Sequence, residues 1–334
     1  MTKIYIVTPN YNGLGFLKNY FESLLNQTYA NFKIVFIDNS DDNSSIEFIT
    51  NNYNDELKKG KIIIIKNPEN YGFARSNNIG MKKAFTDAEC EYIICLNNDT
   101  HVIPEFLEEI IKSAKKHPDA GSIQAKMIWG QYPELIDSVG LEYSKNGLGF
   151  NRGAYKPSEE YNEEEEIFGC CAGACLYKRE ALDDIEIDGE YFDEIFFAYY
   201  EDFDLALRLR WAGWKAWYCP EAIVYHYKGG TSEIISDFTI YHNWRNYTWT
   251  IFKNLERNYI ITHLHLIVLN ELIQIMINLL RKKPVIIKAK TDAYRNIGMF
   301  LRKNKRIKKK ISFEDLEKWF IMKWKVKIPE DVEF

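Results

Sequence analysis

Acidic and amide side chains follow two of the short apolar runs in the first hundred residues. Asp38 comes directly after KIVFI at 33–37, and Asn-Asn-Asp at 97–99 comes directly after YIICL at 92–96. A carboxylate such as Asp38 can accept hydrogen bonds from a nucleobase N–H or a ribose hydroxyl. One carboxylate beside amide oxygens suits a hard cation, Mg²⁺ or Mn²⁺, that also binds substrate phosphates. Both segments are also rich in turn-forming and helix-capping residues, so a structural role stays open for each.

A second pair of acids, Glu201 and Asp202, stands at the predicted start of a helix that ends near Gly213. The dipole at a helix N-terminus stabilises the ionised form of a carboxylate, and a general base must be ionised. Helix capping alone is the alternative. His226 follows a short β-rich stretch, and a metal-ligand role for it depends on its lying close to Asp99. A single histidine is otherwise more often a structural residue.

The elements that must position these residues are visible in the hydropathy pattern. Apolar runs that are too continuous for a half-exposed sheet predict strands, and helical periodicity predicts helices between them. Buried strands that alternate with helices indicate a mostly parallel sheet covered on both faces, with ligands at the carboxyl ends of the strands. The predicted strands are 3–7, 33–37, 61–65 and 92–96, and the helices between them lie near 44–53, 75–86 and 104–116.

Composition and missing motifs exclude several classes of protein. The 334-residue chain is 46% hydrophobic and 27% charged, which argues against a disordered chain and a multi-span membrane protein. No G-x-G-x-x-G follows the first strand, and no P-loop motif occurs, so dinucleotide and P-loop phosphate chemistry are not expected. The six cysteines match no paired metal spacing, and the first twelve residues are typical of a strand rather than a signal peptide. A reduced, cytoplasmic protein is therefore expected.

The C-terminal third carries an uneven charge. Residues 281–310 hold 13 Lys or Arg against one acid, Asp292, and 14 of the 21 residues in the preceding segment 260–280 are apolar. That segment has a polar stripe at four-residue spacing, made by Asn270, Gln274 and Asn278, which disfavours a membrane-spanning helix. A helix in the membrane surface followed by a basic segment fits, and so does a core helix followed by a solvated one. The sequence thus predicts contact of 260–310 with the anionic inner face of the cell membrane as one open alternative; nucleic acid is not expected.

Taken together, the motifs resemble those of the family 2 glycosyltransferases with the GT-A fold, particularly the rhamnosyltransferase-like branch that builds cell-surface polysaccharide. The resemblance covers about residues 3 to 250, and the order and spacing of the motifs are more specific than any one of them. The motifs are VTPNYN (7–12), FIDNSDDNS (36–44), NPENYGFARSNNIG (67–80), LNNDT (96–100), GACLYKREAL (173–182), FFAYYEDFDLALRLRWAGW (196–214) and YHYKGGTS (225–232).

The resemblance implies a role for each motif residue. Asp202 would be the catalytic base, with Glu201 beside it to position the acceptor or the helix. Asp99 would contact Mg²⁺ or Mn²⁺ in a D-x-D-like element whose first Asp is replaced here by Asn97, and His226 would be a second metal ligand or a diphosphate contact. Arg245 and Asn246 would lie near the diphosphate. The remaining nucleotide- and donor-binding residues would be Thr8, Asn10, Asp38 (on the base), Asn70, Gly72, Arg75, Asn97 and Asn98.

The resemblance also implies an architecture and a reaction. The expected fold is α/β, with a GT-A-type, Rossmann-like and mostly parallel sheet and a C-terminal helical appendage. Residues 1–125 would bind the nucleotide sugar, 126–250 would complete the same domain with the acceptor and catalytic part, and 251–334 would form the basic helical region. The expected reaction is metal-dependent, inverting transfer of a sugar from a UDP or dTDP donor, dTDP-rhamnose among them. The acceptor would be a hydroxyl of a glycan or a lipid-linked molecule in polysaccharide synthesis.

Two other classes remain as alternatives. A sugar nucleotidyltransferase uses a similar sheet and metal, but it needs a Gly-rich triphosphate loop followed by a Lys after the first strand, which residues 8–13 do not supply. A non-catalytic nucleotide-sugar or glycan-binding protein is disfavoured by the intact Asp99, Asp202 and His226. Release of nucleoside diphosphate with and without an acceptor separates the three classes.

Overall fold

The computed structural model describes residues 2–227 and 236–326. Its strands are β1 (Lys3–Asn10), β2 (Phe32–Asp38), β3 (Ile62–Lys66), β4 (Cys90–Leu96), β5 (Thr100–Val102), β6 (Ala120–Trp129), β7 (Ile136–Ser138), β8 (Leu141–Ser144), β9 (Gly149–Asn151), β10 (Glu165–Ile167), β11 (Ala174–Lys178), β12 (Lys215–His226) and β13 (Phe320–Ile321). Its helices are α1 (Leu14–Leu25), α2 (Ser44–Asn52), α3 (Asn54–Lys58), α4 (Gly72–Phe85), α5 (Phe106–Lys116), α6 (Arg179–Ile185), α7 (Glu201–Trp211), α8 (Asp237–Asn254), α9 (Arg257–Thr262), α10 (Leu264–Leu280), α11 (Val285–Arg295), α12 (Ile297–Asn304) and α13 (Phe313–Glu317).

The apolar runs form strands that are buried on both faces. Alternate residues of β1, β2 and β4 enter two different cores, so that Ile4, for example, faces one core and Tyr5 the other. The first core is completed by α1 and α5, and the second by α4, α6 and α7. Because helices cover both faces of the sheet, the central positions of these strands are mainly apolar, whereas charged residues such as Lys33 and Glu91 stand near the strand ends.

The strand order of the main sheet is β10-β12-β6-β11-β4-β1-β2-β3, with β5 beside β12 and β7 beside β6. The pairs β1–β2, β1–β4, β2–β3 and β6–β12 are parallel, whereas β11 runs antiparallel between β4 and β6. The predicted α/β fold with a mostly parallel sheet and C-terminal helices is therefore confirmed. The four predicted strands and the three intervening helices are also observed, with ends that differ by a few residues.

The topology brings three distant segments to one edge of the sheet. β4 ends at Leu96, and the antiparallel neighbour β11 begins beside it, so that the Asn97 N–H donates to the Gly173 carbonyl at 2.9 Å. β12 runs parallel to β6 and ends at the same edge, where His226 pairs in register with Thr100 of β5. Residues near 97, 172 and 226 are neighbours for this reason.

The C-terminal helices pack on the sheet domain through a third, aromatic-rich core. This core joins α7 and α8 to α12 and to the small sheet β13-β8-β9, and Trp211, Tyr247 and Phe300 are among its members. The expected division of the chain at 125/126 and 250/251 falls inside two continuous elements, β6 and α8. In the ranges 2–227 and 236–326, the helices lack the combination of length and hydropathy needed to cross a bilayer.

The basic run is largely bound to the acidic part of the same chain. Lys303 pairs with Asp193 at 2.6 Å, Lys310 pairs with Asp184 at 2.7 Å, and Lys290 is buried against Glu271 at 2.7 Å. Lys308 and Arg306 also pair with acids of the sheet domain. Much of the charge asymmetry seen in the sequence thus attaches the helical appendage to its own domain.

Candidate active site

Asp99 and His226 meet at the shared edge of the sheet. The His226 Nε2 lies 3.0 Å from Asp99 Oδ1, and its Nδ1 lies 2.7 Å from Asp137 Oδ2. Burial opposes a charge on the imidazole, but the two carboxylates outweigh it and raise the His226 pKa to about 9. Burial likewise opposes ionisation of Asp99, and the facing imidazolium holds the pKa of Asp99 below its ordinary value. The three side chains form one charged, hydrogen-bonded group.

This group fits a divalent cation that also has ligands from a substrate. Within the described ranges, no cluster of three or more His, Cys, Asp or Glu side chains could hold a metal by itself. Asp99 Oδ1 and His226 Nε2 face each other at 3.0 Å, so a cation at this point would have to take the place of the proton between them, and Mg²⁺ is commonly bound by one or two protein ligands together with phosphates and waters. Asp137 would orient the imidazole from its other nitrogen, as carboxylates do behind metal-binding histidines.

The residues predicted to bind the nucleotide form a connected amide network at the ends of β1 and β2. The Asn10 side-chain amide donates to Asp38 Oδ1 at 2.8 Å and to Ser40 Oγ at 3.1 Å. Its oxygen accepts from Asn98 Nδ2 at 2.5 Å, which links the β1 end to the 97–99 segment. The hydroxyl of Thr8 is hydrogen-bonded to the Tyr20 hydroxyl. The structure therefore places Thr8, Asn10, Asp38 and Asn98 in one neighbourhood.

Asp38 is fully buried and makes several hydrogen bonds within the protein. Its Oδ1 accepts from the Ser40 hydroxyl at 2.7 Å, and its Oδ2 accepts from Lys66 Nζ at 2.8 Å. A nucleobase that bonds to this carboxylate has to displace Lys66 or approach beside it. The contact between Asp38 and the base stays a prediction.

The donor-sugar residues Asn70, Gly72 and Arg75 lie at the start of α4. The Asn70 side chain accepts from the Gly72 N–H at 2.9 Å, and Gly72 adopts φ +73°. A Cβ at this glycine would lie 2.6 Å from the Phe197 carbonyl oxygen, so the close approach of the two segments requires glycine. The Arg75 guanidinium stacks on the Tyr71 ring at 3.7 Å, is about half exposed and lies 3.6 Å from Glu194, so a phosphate that binds it has to share it with that carboxylate.

Asp202 lies in the first turn of α7 and faces the loop before β11. Its carboxylate accepts from the Phe203 N–H at 2.8 Å and from the Ala172 N–H. Burial raises the Asp202 pKa to about 6, and these N–H bonds oppose the rise only in part. Burial and the adjacent Asp202 also raise the pKa of Glu201, which is buried.

The 171–173 loop connects Asp202 to the 97–99 segment. Ala172 bonds to Asp202, and the next residue, Gly173, bonds through its carbonyl to the Asn97 N–H. A Cβ at Gly173 would be 3.3 Å from the side-chain nitrogen, Nδ2, of Asn97. The base candidate and the metal candidate Asp99 are therefore separated by one short loop along the same edge of the sheet.

The segment before Asp202, which we call the 195–200 loop, has an unusual backbone. Phe197, Tyr199 and Tyr200 adopt left-handed φ angles of 66°, 68° and 68°, which are strained for bulky residues. Asn246 of α8 holds this loop, because its amide nitrogen donates to the carbonyls of Phe196, Ala198 and Tyr199 at 2.9, 2.8 and 2.7 Å.

Arg245 faces the same loop. Its guanidinium donates to the Phe196 carbonyl at 3.0 Å and stacks on the Trp249 ring at 4.2 Å. On the opposite side, the Ala74 N–H donates to the Phe197 carbonyl at 3.1 Å. The 195–200 loop thus bridges α4 and α8. The expected place of Arg245 and Asn246 near a diphosphate stays a prediction.

A buried charge cluster fixes α7 to α8. Lys253 Nζ lies 2.8 Å from both Asp193 Oδ2 and Asp204 Oδ2, and all three side chains are almost inaccessible. Arg208 pairs with Asp204 at 2.9 Å one turn further along α7. The helix that begins with Asp202 is consequently held in one orientation.

Sequence reasoning missed two contributors to this site. Asp137 belongs to a three-residue strand, β7, and the only sequence signal is an acid within the short segment LIDSV. No sequence pattern predicted that Asn246 would hold the 195–200 loop; only its position after the 196–214 motif was visible. Residues 228–232 of the last motif lie outside the described residues.

Comparison with known proteins places these motifs in a family. Residues 5–186, more than half of the chain, match the model for Glycosyl transferase family 2. The rhamnosyltransferase WbbL of Escherichia coli K12 is 27% identical over 239 residues, which is 67% of this chain and 83% of that protein. An N-acetylglucosaminyl-diphospho-decaprenol L-rhamnosyltransferase of Mycobacterium tuberculosis is 28% identical over 156 residues, 41% of this chain and 47% of that protein.

The fold is shared with a solved glycosyltransferase. A crystal structure of GalNAc-T7 with UDP, GalNAc and Mn²⁺ superposes with a TM-score of 0.60 at 16% identity, covering 78% of this chain and 49% of that one. The fold is therefore of the GT-A type. With two other curated relatives, one of them an uncharacterized glycosyltransferase of Haemophilus influenzae, the match spans 24% and 41% of their length. Since the family model matches more than half of the chain, including Asp38 and Asp99, the chain belongs to glycosyl transferase family 2.

Proposed function

We propose that the protein is an inverting glycosyltransferase that moves a sugar from a nucleoside-diphosphate donor to an acceptor hydroxyl. The observation that carries this proposal is the arrangement at one edge of the sheet. A carboxylate with a raised pKa, Asp202, lies one short loop away from the Asp99–His226 pair. A base on one side and a phosphate-binding charge group on the other are the two parts that a single displacement at a sugar carbon needs.

In the proposed reaction, the acceptor oxygen attacks the anomeric carbon from the face opposite the leaving diphosphate. The new C–O bond forms as the bond from that carbon to the diphosphate oxygen breaks, and Asp202 takes the hydroxyl proton. With a pKa of about 6, Asp202 is mostly ionised at neutral pH and can do so. One displacement inverts the configuration at the anomeric carbon. Glu201, beside the base, helps to position the acceptor or the helix.

Asp99 and His226 would hold a Mg²⁺ or Mn²⁺ ion, which when bound supplies positive charge that stabilises the diphosphate as it leaves. Arg75, half exposed at the start of α4, offers a further fixed charge to a phosphate. The amide network of Asn10 and Asn98 would position the nucleotide, with Thr8, Asp38, Asn70, Gly72 and Asn97 around it. The presence of Mn²⁺ in the named GalNAc-T7 structure supports the choice of cation.

For the donor and the acceptor, we propose a UDP- or dTDP-sugar, with dTDP-rhamnose first, and a lipid-linked glycan. The names of two relatives support this choice, since both are rhamnosyltransferases and one is named for a diphospho-decaprenol acceptor. The product would enter cell-surface polysaccharide, and the enzyme would work on the cytoplasmic face of the membrane. Within the chain, we assign donor binding to 1–125, acceptor binding and catalysis to 126–250, and a basic helical region to 251–334.

The test is a panel of UDP-, dTDP- and GDP-sugars, assayed for release of nucleoside diphosphate with and without a polyprenyl-diphosphate-linked sugar. We expect acceptor-dependent release from one donor and a product of inverted anomeric configuration by NMR. Pyrophosphate release from a nucleoside triphosphate and a sugar 1-phosphate would instead identify a nucleotidyltransferase. Tight donor binding with no release under any condition would identify a binding protein.

A further inference from the structure

Helix α10 carries its polar side inward and its apolar side outward. Asn270, Glu271 and Asn278 are buried at 0%, 6% and 4% exposure. The opposite side presents a row of large apolar residues at four-residue spacing, each between 45% and 76% exposed. We call this row the α10 apolar row; it consists of Leu264, Val268, Leu272, Met276 and Leu280.

The orientation of α10 is fixed by a buried ion pair. Glu271 accepts from the Thr248 hydroxyl at 3.1 Å and pairs with Lys290 of α11 at 2.7 Å. Lys290 also donates to the Trp244 carbonyl of α8 at 3.0 Å. Turning the helix so that its apolar row faced the protein would separate this pair and leave a buried charge without compensation. The exposed apolar row is therefore a property of the packed structure.

Free cations stand at the end of the same row. Arg281 and Lys282 follow Leu280 directly, and both side chains are exposed. Across the portion of the chain that the structure describes, Arg281 and Lys282 form no ion pair, in contrast to Lys303, Arg306, Lys308 and Lys310, which are bound to acids of the sheet domain. The carboxylate of α10 itself, on Glu271, is buried on the other side.

We propose that the α10 apolar row docks on an anionic lipid bilayer, lying in the interface with Arg281 and Lys282 against lipid phosphates. A helix with one apolar face and flanking cations binds the membrane surface by burying that face and by attraction to anionic headgroups. A second copy packed row against row would cover the apolar residues but would bring no anion to the two cations, because the row has no exposed acid. This docking goes beyond the transfer reaction and uses none of its residues.

The first test compares two methionines of nearly equal exposure, Met276 at 55% in the row and Met322 at 57% outside it. The probe is sedimentation with vesicles of phosphatidylglycerol and phosphatidylcholine at low salt. Met276→Gln should weaken partitioning about tenfold because it removes an inserted apolar side chain. Met322→Gln should leave partitioning unchanged. Circular dichroism and thermal melting should show both variants folded like the parent.

The second test concerns charge. Arg281→Gln with Lys282→Gln should weaken binding to the same vesicles by about fivefold for each charge removed, and added salt should diminish the difference. The matched control is Lys82→Gln with Lys83→Gln, two adjacent exposed lysines of α4, which should have no effect. Vesicles of phosphatidylcholine alone should bind the parent protein weakly.

Three results would overturn the proposal. They are failure of the parent protein to bind phosphatidylglycerol vesicles, equal behaviour of Met276→Gln and Met322→Gln, and conversion of a dimer to a monomer by Met276→Gln without any vesicle binding. The last result would assign the row to a second copy of the chain. Because vesicle binding is measured without a sugar donor, it can fail while transfer to a water-soluble acceptor succeeds, and the two proposals are tested separately.

Discussion

The clamp of Asn246 on the 195–200 loop leads to a prediction whose size follows from the contacts. Asn246→Ala removes three hydrogen bonds to the carbonyls of Phe196, Ala198 and Tyr199. At roughly 1 kcal/mol for each buried bond, the free energy of unfolding should fall by about 2–4 kcal/mol. The Tyr199 carbonyl then loses its 2.7 Å bond, so Tyr199 can relax toward ordinary backbone angles, while the carbonyls of Phe197 and Tyr200 keep their bonds from the Ala74 and Asp204 N–H groups.

The same variant should impair turnover more than donor affinity. Asp202 follows the loop by two residues, and displacement of a base by about 1 Å can cost roughly a hundredfold in rate. We expect kcat to fall between about tenfold and a hundredfold, with a smaller change in the donor KM. Urea denaturation gives the stability, and steady-state release of nucleoside diphosphate gives the kinetic constants.

Asn304 provides a matched control for the clamp. Its amide also donates to two carbonyls, those of Lys253 at 2.7 Å and Leu255 at 3.1 Å, which lie outside the 195–200 loop. Asn304→Ala should therefore lower stability without lowering kcat. The reasoning is refuted if Asn246→Ala keeps the parent kcat, or if Asn304→Ala reduces kcat to the same extent.

Three further predictions concern the base, the cation and the buried charge cluster. Because the Asp202 pKa is raised to about 6, the pH–rate profile should be flat near neutral pH and should fall as the carboxylate protonates below about pH 6. Excess chelator should abolish turnover, and added Mn²⁺ or Mg²⁺ should restore it, because the cation would bind at Asp99 again. In urea denaturation, Lys253→Met should lower the free energy of unfolding by about 3–5 kcal/mol, because Asp193 and Asp204 stay buried without their shared cation.

Each of these predictions has a clear contrary outcome. An acid limb near the ordinary pKa of an aspartate would mean that Asp202 is not the titrating base, and full turnover in chelator would remove the cation from the reaction. For the charge cluster, the control is Lys308→Met, which breaks a more exposed pair with Asp184 and should cost less than about 1 kcal/mol. Equal losses for Lys253→Met and Lys308→Met would contradict the role assigned to burial.

The sheet was predictable because burial on both faces leaves a direct trace in the sequence. Apart from the leading Lys33, runs such as KIVFI and YIICL carry no charged position, and a strand covered by helices on both sides is the arrangement that requires this. The positions of Asp38 and Asp99 at or just after the ends of β2 and β4 were predictable too, because each closely follows an apolar run. In parallel sheets, ligands bind at the carboxyl ends of the strands. The antiparallel insertion of β11 was not expected, and it is what brings Gly173 beside Asn97.

Other parts of the site depend on contacts that no local pattern records. Asp137 reaches His226 across 89 positions of sequence from a strand of three residues. The left-handed backbone at Phe197, Tyr199 and Tyr200 arises without any glycine, so the sequence contains no turn residue that would predict it. It is held in place by Asn246 and Arg245, which lie on another helix.

In the C-terminal region, too, the sequence pattern predicted the helix but not its contacts. The four-residue spacing of Asn270, Gln274 and Asn278 showed that α10 is amphipathic, but not which side faces the protein. The side of α10 that faces the protein is determined by the buried pair of Glu271 and Lys290, which lie on two different helices, α10 and α11. The basic run was visible as a charge excess, whereas its pairing with the acids of the sheet domain appears only in the folded chain.

The most direct test of the account is a crystal structure with the nucleoside diphosphate of the best donor and Mn²⁺, examined for anomalous scattering by manganese. We predict one manganese peak between Asp99 and His226, with the diphosphate against it and Asp202 across the pocket on the acceptor side. A peak at another place, or a nucleotide bound away from the edge formed by β4 and β12, would contradict the account.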